Sequence, residues 1–541
     1  MKRKIFSSLL AITFCSPLLL LVVGCSSTTN SEVTTPDPTP PIDPPVVPPV
    51  EPPVIPPIVP PVEPPVNPPI SNTSVDQFGY EHNKQYNFIN PLYENNKIVS
   101  LDKANGGPTF TVPGNGITPR ATLLQGRLPN QKYVDLAKRS YALEINNGAP
   151  KTGTTWILDY KLSNDSSYPT TWYFGTNAHV LDDLMIKNNI GKPDNFANWN
   201  STTNSFPAYN TSSVALLSID NPNTTTVYRN NHQPGWNKHW IDLSTPNPNP
   251  NGPERWEGYY SNTPSVRTIF LGEDFLSTDP KDCLDLKYAT ASKYDKWINN
   301  KEYADFAVLE VKFPDSNTAK KVTNDYANLP PENKFKYRQS DLIQDYVRRE
   351  QYVVSFPIDG DSYTKNLFVN KSLADYNGGD RNGGELGTSP FYSTFASKPS
   401  ILDGGVGMSY FGTTIESYDN NPTKPQSIQT YFNTWGLFYQ LNYANLTPGA
   451  SGSLVIDQDG YSTGVLLGSD QNAAIGSVQA FYSNGYSYNG YYGKYDLPAY
   501  DLIRGGGPTQ TKSYYDGLVQ AYGKTSTFKT NLFPNGLTSR Y

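Results

Sequence analysis

The chain has 541 residues, of which 17% are charged, and a net charge of −6. Without a long basic run, this composition argues against a nucleic-acid partner. Three cysteines and four histidines give neither a disulfide framework nor a histidine-rich metal site, and no glycine-rich phosphate loop is present, so we expect no metal and no cofactor. The 39 tyrosines and 41 glycines, together with many asparagines and serines, favour β-strands joined by irregular loops.

The first 25 residues have the features of a signal peptide. Residues 2–4 are basic, and residues 9–23 are mostly apolar but too short a stretch for a membrane span. The stretch ends in Gly24-Cys25, which looks like a bacterial lipobox and implies cleavage before Cys25 and lipidation of its thiol. We therefore expect lipid to hold the mature chain at the outer face of the cell membrane. A plain secretory signal with a chance cysteine is the alternative.

Residues 26–74 form a proline-rich stretch directly after this anchor. Repeated proline pairs exclude helix and remove backbone donors, so the stretch predicts a polyproline II stalk that spaces a folded head from the membrane. A proline-rich ligand for another domain is the alternative. Residues 75–140 are expected to form an N-terminal extension. An apolar period of 3.6 residues predicts a short helix over residues 133–145.

A general base is predicted where an aromatic strand ends. Residues 171–181 (TWYFGTNAHVL) run from aromatic through small residues to His179. A histidine at a strand end is held by the sheet and can open to a cleft, as a general base needs. Further on, Asp305 stands at the mouth of the apolar run 306–311, where a carboxylate can be buried against an imidazole and fix its tautomer. Taken singly, a packing histidine and a strand-edge aspartate are the more ordinary interpretations.

The predicted nucleophile is Ser451, in the Gly-x-Ser-Gly segment 447–453 (TPGASGS). A serine becomes nucleophilic when a base takes its proton and backbone N–H groups face the oxyanion, and small neighbours permit the tight turn this needs. Two apolar runs, 454–456 and 464–468, predict a hairpin directly after it. A competing serine, Ser362, lacks the trailing glycine and the buried strand that follow Ser451.

The three candidates occur in the order His179, Asp305, Ser451, which resembles the chain order of trypsin/chymotrypsin-like serine peptidases. With the lipobox-like start and the ending segments 501–507 (DLIRGGG) and 532–537 (LFPNGL), the head is similar to the mycoplasma putative serine peptidase family, which includes the mycoplasma immunoglobulin proteases. The resemblance implies a mainly β fold of two chymotrypsin-like β-barrels with the site between them. It also implies cleavage of host immunoglobulin heavy chain in concert with a separate immunoglobulin-binding surface protein.

On this basis we expect a first barrel with an insert over residues 141–320, which would carry the histidine and the aspartate. A second barrel with an insert and a C-terminal helix is expected over residues 321–541 and would carry the serine. The long inserts, 187–267 and 320–430, are interpreted as surfaces that recognise substrate or partner, with lineage-specific decoration as an equal alternative.

The same resemblance assigns roles around the nucleophile. The backbone N–H groups of Gly449 and Ser451 are expected to bind the oxyanion during an acyl-enzyme reaction. Asn445 lies upstream of the nucleophile, at a position where residues of such enzymes often line the first specificity pocket. Its neutral side chain does not indicate a preference for Lys or Arg in the substrate. The alternative function is a catalytically silent lipoprotein of the same fold that binds immunoglobulin or acts in adhesion. A pure binding protein has no physical need of the three catalytic residues, which favours the enzyme.

Overall fold

The computed structural model divides the chain into two compact units, Met1–Pro64 and Pro65–Tyr541. The structure describes residues 92–94, 97–100, 126–147, 150–181, 184, 186, 211–243, 255–257, 259–260, 263–279, 301–342, 350–359, 361–370, 389–390, 406–407, 414–418, 429–442, 448–470, 475–487 and 496–541. The predicted signal peptide with Cys25, the proline-rich stalk and Asn445 therefore lie outside the described residues.

The described residues are mostly strands joined by turns. The strands before residue 320 are β1 (Leu92–Glu94), β2 (Lys97–Ser100), β3 (Ser140–Asn146), β4 (Pro150–Tyr160), β5 (Thr171–Thr176), β6 (Ser213–Ile219), β7 (Trp236–Asp242), β8 (Arg255–Glu257), β9 (Tyr259–Tyr260), β10 (Thr263–Pro264), β11 (Val266–Glu273) and β12 (Lys301–Lys312). The later strands are β13 (Glu350–Ser355), β14 (Ile358–Asp359), β15 (Asp361–Lys365), β16 (Phe368–Val369), β17 (Ser389–Pro390), β18 (Val406–Gly407), β19 (Thr414–Tyr418), β20 (Gln429–Thr434), β21 (Phe438–Asn442), β22 (Leu454–Asp457), β23 (Ser462–Asp470), β24 (Ile475–Ala480), β25 (Tyr482–Tyr486) and β26 (Leu497–Asp501).

The helices in this part of the chain are short. They are α1 (Gln131–Ala137), α2 (Ala178–Leu181), α3 (Ser316–Val322) and α4 (Tyr514–Tyr522), with two 3₁₀ turns at Tyr326–Asn328 and Pro331–Asn333. Within the described residues, no helix combines the length and the apolar character that a membrane crossing requires.

Two large sheets dominate the described part of the chain. The first has the strand order β19-β20-β12-β5-β4-β3-β6-β7-β8, with β11 also paired to β12, and the second has the order β16-β13-β22-β23-β24-β21-β18, with β17 on β13. Apart from the parallel pairs β12–β20 and β7–β8, these strands pair antiparallel. The predicted mainly β fold is confirmed. Along the described pairings both sheets run from edge to edge without closing, so the two closed barrels stay a prediction.

The boundary expected at residue 320 does not separate the two sheets completely. The hairpin of β19 and β20 follows that boundary in sequence, yet β20 pairs with the first residues of β12 in the first sheet. The division into two barrel domains, 141–320 and 321–541, therefore stays a proposal. The hairpin of β19 and β20 belongs to the second proposed domain by sequence and to the first sheet by pairing.

Strand β12 is buried on both faces. Phe306 and Val308 point into a core that the first sheet shares with the second, and the Phe306 ring lies 5.2 Å from that of Phe481, which follows β24. Ala307 and Leu309 point into a separate core on the other face of the first sheet. Because side chains alternate along a strand, a continuous apolar run is what a doubly buried strand requires.

The helix predicted over residues 133–145 is wrong in its second half. Helix α1 begins after Asn130, whose side chain accepts from the N–H groups of Lys132 and Tyr133, and it ends at Ala137. The following residues form β3, which pairs with β4 on one side and β6 on the other. This segment pairs with β4, which follows it directly, and with the remote strand β6, and these backbone hydrogen bonds on both edges override the helical period.

The predicted C-terminal helix is confirmed as α4, but it packs on the first sheet rather than the second. A Cβ atom at Gly517 would lie 2.4 Å from the Ile269 carbonyl oxygen on β11, so glycine permits the close approach. The Tyr514 hydroxyl donates to Asp159 on β4 at 3.2 Å, and the Tyr522 hydroxyl donates to Glu310 on β12. Helix α4 therefore supports β12, the strand that carries the predicted aspartate.

A buried carboxylate joins β4 to the C-terminal tail. Asp159 is 1% exposed, and its Oδ1 accepts from the N–H groups of Tyr160 at 2.9 Å and Leu532 at 3.0 Å. Desolvation by burial raises the pKa of Asp159 from 3.8 to about 7, against the opposing effect of these hydrogen bonds. Below about pH 7 this carboxyl group is therefore mostly neutral in the folded chain.

Candidate active site

His179 and Asp305, predicted as base and orienting carboxylate, lie in direct contact. Strand β5 ends at Thr176, and His179 is the second residue of the short helix α2. Its Nδ1 lies 2.6 Å from Oδ2 of Asp305, and its backbone N–H donates to Oδ1 at 3.1 Å. The Asp305 side chain is 2% exposed and that of His179 is 33% exposed. A buried carboxylate thus fixes the orientation of an imidazole that solvent can reach.

The surroundings of Asp305 hold it from three sides. The Tyr303 hydroxyl, on the same face of β12 two residues earlier, donates to Oδ1. The side-chain amide of Asn177 donates to the Asp305 carbonyl oxygen at 2.6 Å, and the Asp305 N–H donates to Oε1 of Gln479 on β24 at 3.3 Å. Sequence reasoning missed these residues, although the i, i+2 spacing of Tyr303 and Asp305 on an apolar strand was a readable signal.

Asp305 does not lie at the start of its strand, as the sequence suggested, but is the fifth residue of β12. Strand β12 begins at Lys301, because Lys301–Tyr303 pairs with residues 432–434 of β20. The partner strand lies more than 100 residues away in sequence, so no local pattern marks this extension. Its effect is to bury Asp305 within the sheet rather than at an edge.

The loop that carries Ser451 docks on the first sheet. The predicted hairpin follows it as β22 and β23, and the N–H of Thr154 on β4 donates to the Ser451 carbonyl oxygen at 2.7 Å. Gly452 has φ +93°, and a Cβ atom there would lie 2.1 Å from the Thr154 carbonyl oxygen and 2.3 Å from Thr176 Oγ1. The segment that precedes His179 and the segment that contains Ser451 are therefore in contact, with a glycine required between them.

The first expected oxyanion donor, the Gly449 N–H, has a fixed direction. The Pro448 carbonyl oxygen of the same peptide group accepts from the Ile358 N–H at 2.8 Å. Because the N–H and C=O of a trans peptide point in opposite directions, this bond turns the Gly449 N–H away from Ile358. Gly449 has φ +94°, a conformation that glycine adopts readily.

The second expected donor, the Ser451 N–H, is fixed in the same way. The Ala450 carbonyl oxygen accepts from both Ser453 groups, the backbone N–H at 3.2 Å and Oγ at 2.6 Å. Within the described residues, no backbone carbonyl accepts from the N–H of Gly449 or of Ser451. Two oriented amide donors without backbone partners are what an oxyanion site requires.

Residues 130–468, well over half of the chain, match the family model of the Mycoplasma immunoglobulin protease. The chain belongs to the Mycoplasma immunoglobulin protease family. This match confirms the family that was inferred from the order of the three candidate residues and from the motifs at both ends of the chain. Its fold is accordingly protease-like.

Two relatives of this family member are informative. A membrane-associated lipoprotein of Ureaplasma parvum serovar 3 is 26% identical over 555 residues, which cover 86% of this chain and 61% of that protein. The solved structure of the mycoplasma MIB and MIP proteins matches with a TM-score of 0.54 and 21% identity, over 72% of this chain and 60% of that chain. At this identity the structural likeness shows the fold alone. The chain spans about three-fifths of the length of each relative.

One acidic group among the described residues of this protease-family chain has the spacing of metal ligands. Carboxylate oxygens of Asp274, Asp279 and Glu302 lie within 4.8 Å of one another. The Lys301 ammonium lies 2.5 Å from Asp279 and 3.8 Å from Asp274, so a cation of the chain itself already neutralises part of this charge. The group is separate from the contact between His179 and Asp305, and nothing in its geometry assigns it a part in hydrolysis.

Proposed function

We propose that this chain is a serine endopeptidase in which Ser451 is the nucleophile, His179 the general base and Asp305 the residue that orients the base. The observation that carries the proposal is the contact between two segments of the chain, one that leads to His179 and one that contains Ser451. His179, whose Nδ1 lies 2.6 Å from Oδ2 of Asp305, follows Thr176 by three residues, and the Ser451 loop packs against Thr176. A nucleophile segment beside an oriented imidazole is the arrangement that acyl transfer needs.

The reaction proceeds through an acyl-enzyme. Oγ of Ser451 attacks the carbonyl carbon of the scissile peptide bond while Nε2 of His179 takes the serine proton. Negative charge then develops on the carbonyl oxygen, where the N–H groups of Gly449 and Ser451 bind it. His179 gives the proton to the leaving amine, the peptide C–N bond breaks, and water hydrolyses the ester on Ser451 by the reverse proton path.

We further propose host immunoglobulin as the substrate, because the family is named for immunoglobulin proteolysis, and its heavy chain as the part cleaved, because the resemblance implies it. A separate immunoglobulin-binding surface protein is the proposed partner, and the relative solved as the mycoplasma MIB and MIP proteins supports that pairing. Lipidation at Cys25 would hold the enzyme at the cell membrane, and the name of the membrane-associated Ureaplasma lipoprotein supports this anchor. We propose that the chain faces the outside of the cell. Asn445 is proposed to line the pocket for the residue before the scissile bond.

The test is a labelling experiment on the full chain. A fluorophosphonate probe should label the wild type covalently, and Ser451→Ala should abolish labelling while thermal unfolding stays unchanged, since the substitution removes one oxygen atom. Ser362→Ala, at the competing serine, should be labelled as fast as the wild type. Incubation with immunoglobulin, with and without an immunoglobulin-binding partner, then tests the substrate. A folded wild type that binds immunoglobulin but resists the probe would instead support the silent binding protein.

A further inference from the structure

Thr154 on β4 is the residue at which the two halves of the candidate site meet. Its N–H donates to the Ser451 carbonyl oxygen at 2.7 Å, and its Oγ1 donates to the Gly449 carbonyl oxygen at 2.9 Å. Its own carbonyl oxygen accepts from Thr176 Oγ1 at 2.7 Å. Thr154 is fully buried, so water does not compete for these hydrogen bonds. Through its side chain and its backbone N–H and C=O groups, this one residue connects the nucleophile loop to the strand end before His179.

The hydroxyl of Thr154 also connects the loop to the second sheet. While Oγ1 donates to Gly449, it accepts from the N–H of Phe356, which follows β13, at 3.2 Å. A hydroxyl has one donor and two acceptor positions, so it can make both bonds together. Valine, which has the same shape, would leave a buried carbonyl and a buried N–H without their partner.

The bond to Gly449 matters because glycine does not hold its own conformation. Gly449 has φ +94°, and its backbone can rotate about φ and ψ more freely than that of any other residue. Ile358 fixes the peptide group before Gly449, and the Thr154 hydroxyl fixes the one after it. Because both peptide groups that flank Gly449 are held, rotation about its φ and ψ is restricted, and the Gly449 N–H keeps its direction.

We propose that Thr154 is a positioning residue that holds the oxyanion site in its active geometry and aligns the Ser451 loop with the His179 segment. The inference rests on the proposed function, since it gives the oxyanion site its support. Thr154 does not touch the reacting atoms and acts through Gly449 and Ser451. Its role is therefore in the rate of the chemical step rather than in the binding of substrate.

The experiment compares two neighbouring threonines in the full chain. Thr154→Val removes the hydroxyl and keeps the backbone N–H. Thr155→Val is the matched control, because Thr155 is equally buried and its Oγ1 donates at 2.9 Å to the Gly175 carbonyl oxygen, away from the loop. Fluorophosphonate labelling is measured as a maximal rate and a half-saturating concentration. Loss of a whole oxyanion donor costs roughly 10²–10³-fold in rate, so we expect Thr154→Val to lower the maximal rate about tenfold or more.

The half-saturating concentration should stay the same, and Thr155→Val should label at the wild-type rate although it unfolds at a similarly lowered temperature. Thr154→Ser should restore the rate, because serine retains the hydroxyl. If Thr154→Val does not fold, Thr154→Ser and Thr154→Ala replace the pair, since both lose the methyl group and only serine keeps the bonds.

Equal labelling rates for Thr154→Val and Thr155→Val, or for Thr154→Ser and Thr154→Ala, would overturn the role of Thr154 and leave the serine peptidase in place. A wild-type chain that the probe does not label overturns the proposed function itself, and the positioning role with it. The two failures are therefore distinguishable in one set of measurements.

Discussion

The two halves of the candidate site are held together in different ways. His179 and Asp305 form the acid–base half, and both side chains stand on or beside neighbouring strands of one sheet, β5 and β12. Ser451 belongs to the nucleophile half, whose loop leads into the second sheet but is hydrogen-bonded to the first. Thr154 makes one of these contacts, and Trp156 makes another, since its Nε1 donates to the Gly452 carbonyl oxygen at 3.0 Å. The acid–base half is largely fixed by its own sheet, whereas the nucleophile half requires the other one.

This difference predicts that damage to the acid–base half affects activity alone. Loss of a backbone or packing contact of the nucleophile loop should lower activity and stability together, because these contacts join the loop to the first sheet. A change outside both halves should affect stability alone. Three substitutions test these cases in order of decreasing effect.

Asp305→Asn should have the largest effect. The amide oxygen can still accept from Tyr303 and from the His179 N–H, but the amide NH₂ would face Nδ1 and force the imidazole into the wrong tautomer. We expect the rate of labelling or cleavage to fall about 10⁴-fold with little change in unfolding temperature. A rate within tenfold of the wild type would show that Asp305 is not the orienting group.

Gly452→Ala should damage activity and stability together. The new Cβ atom would lie 2.1 Å from a backbone oxygen and the residue would keep φ +93°, so overpacking and backbone strain together cost roughly 3 kcal/mol or more. Gly468→Ala on β23 is the control, because nothing lies within 4 Å of its Cβ position, and it should stay within about 0.5 kcal/mol of the wild type. Denaturant unfolding measures both. Equal stabilities would mean that the sheets meet less tightly than this contact indicates.

Asp159→Asn should change only how stability depends on pH. Burial raises the pKa of the Asp159 carboxyl group to about 7 in the folded chain, against an ordinary value of 3.8 in the unfolded chain, so between these values the folded state keeps a proton that the unfolded state has lost. Stability from this group is therefore complete below about pH 4 and falls as pH rises to about 7, by up to roughly 1.4 kcal/mol per pH unit.

The asparagine variant should lose this pH dependence. Its unfolding temperature should therefore rise relative to that of the wild type between about pH 4.5 and 7, while its labelling rate stays unchanged. Asp135→Asn, at an exposed carboxylate on α1, serves as the control and should follow the wild type. If the difference in unfolding temperature between Asp159→Asn and the wild type stays constant across this pH range, Asp159 does not have a raised pKa in the folded chain.

The sequence was informative where chemistry is local. The aromatic strand before His179, the apolar run after Asp305 and the hairpin after Ser451 are patterns of neighbouring residues, and each formed the predicted strand. The family resemblance supplied the order of the three residues. The sequence could not supply their roles, which remain proposals that the labelling experiments test.

What the sequence did not reveal depends on distant pairing. The residues of β3 have a helical period but form a strand, because the remote strand β6 pairs with them in addition to the adjacent β4. Thr154 carries no motif, since a threonine on an apolar strand is ordinary until a loop nearly 300 residues later is placed against it. Long-range contacts of this kind leave no trace in the local pattern, and they are what assembles the candidate site.

Strand β4 has one more consequence, for the timing of synthesis. The C-terminal tail closes on this strand: the Leu162 N–H just beyond β4 donates to the Lys529 carbonyl oxygen at 2.9 Å, and the Asn531 N–H donates to that of Tyr160 at 3.0 Å. A nascent chain on the ribosome lacks these partners until residue 531 has emerged. Contacts this far apart in sequence form slowly. The C-terminal end of β4 is therefore among the last parts of the molecule to gain its partners, so a partly translated chain lacks these bonds.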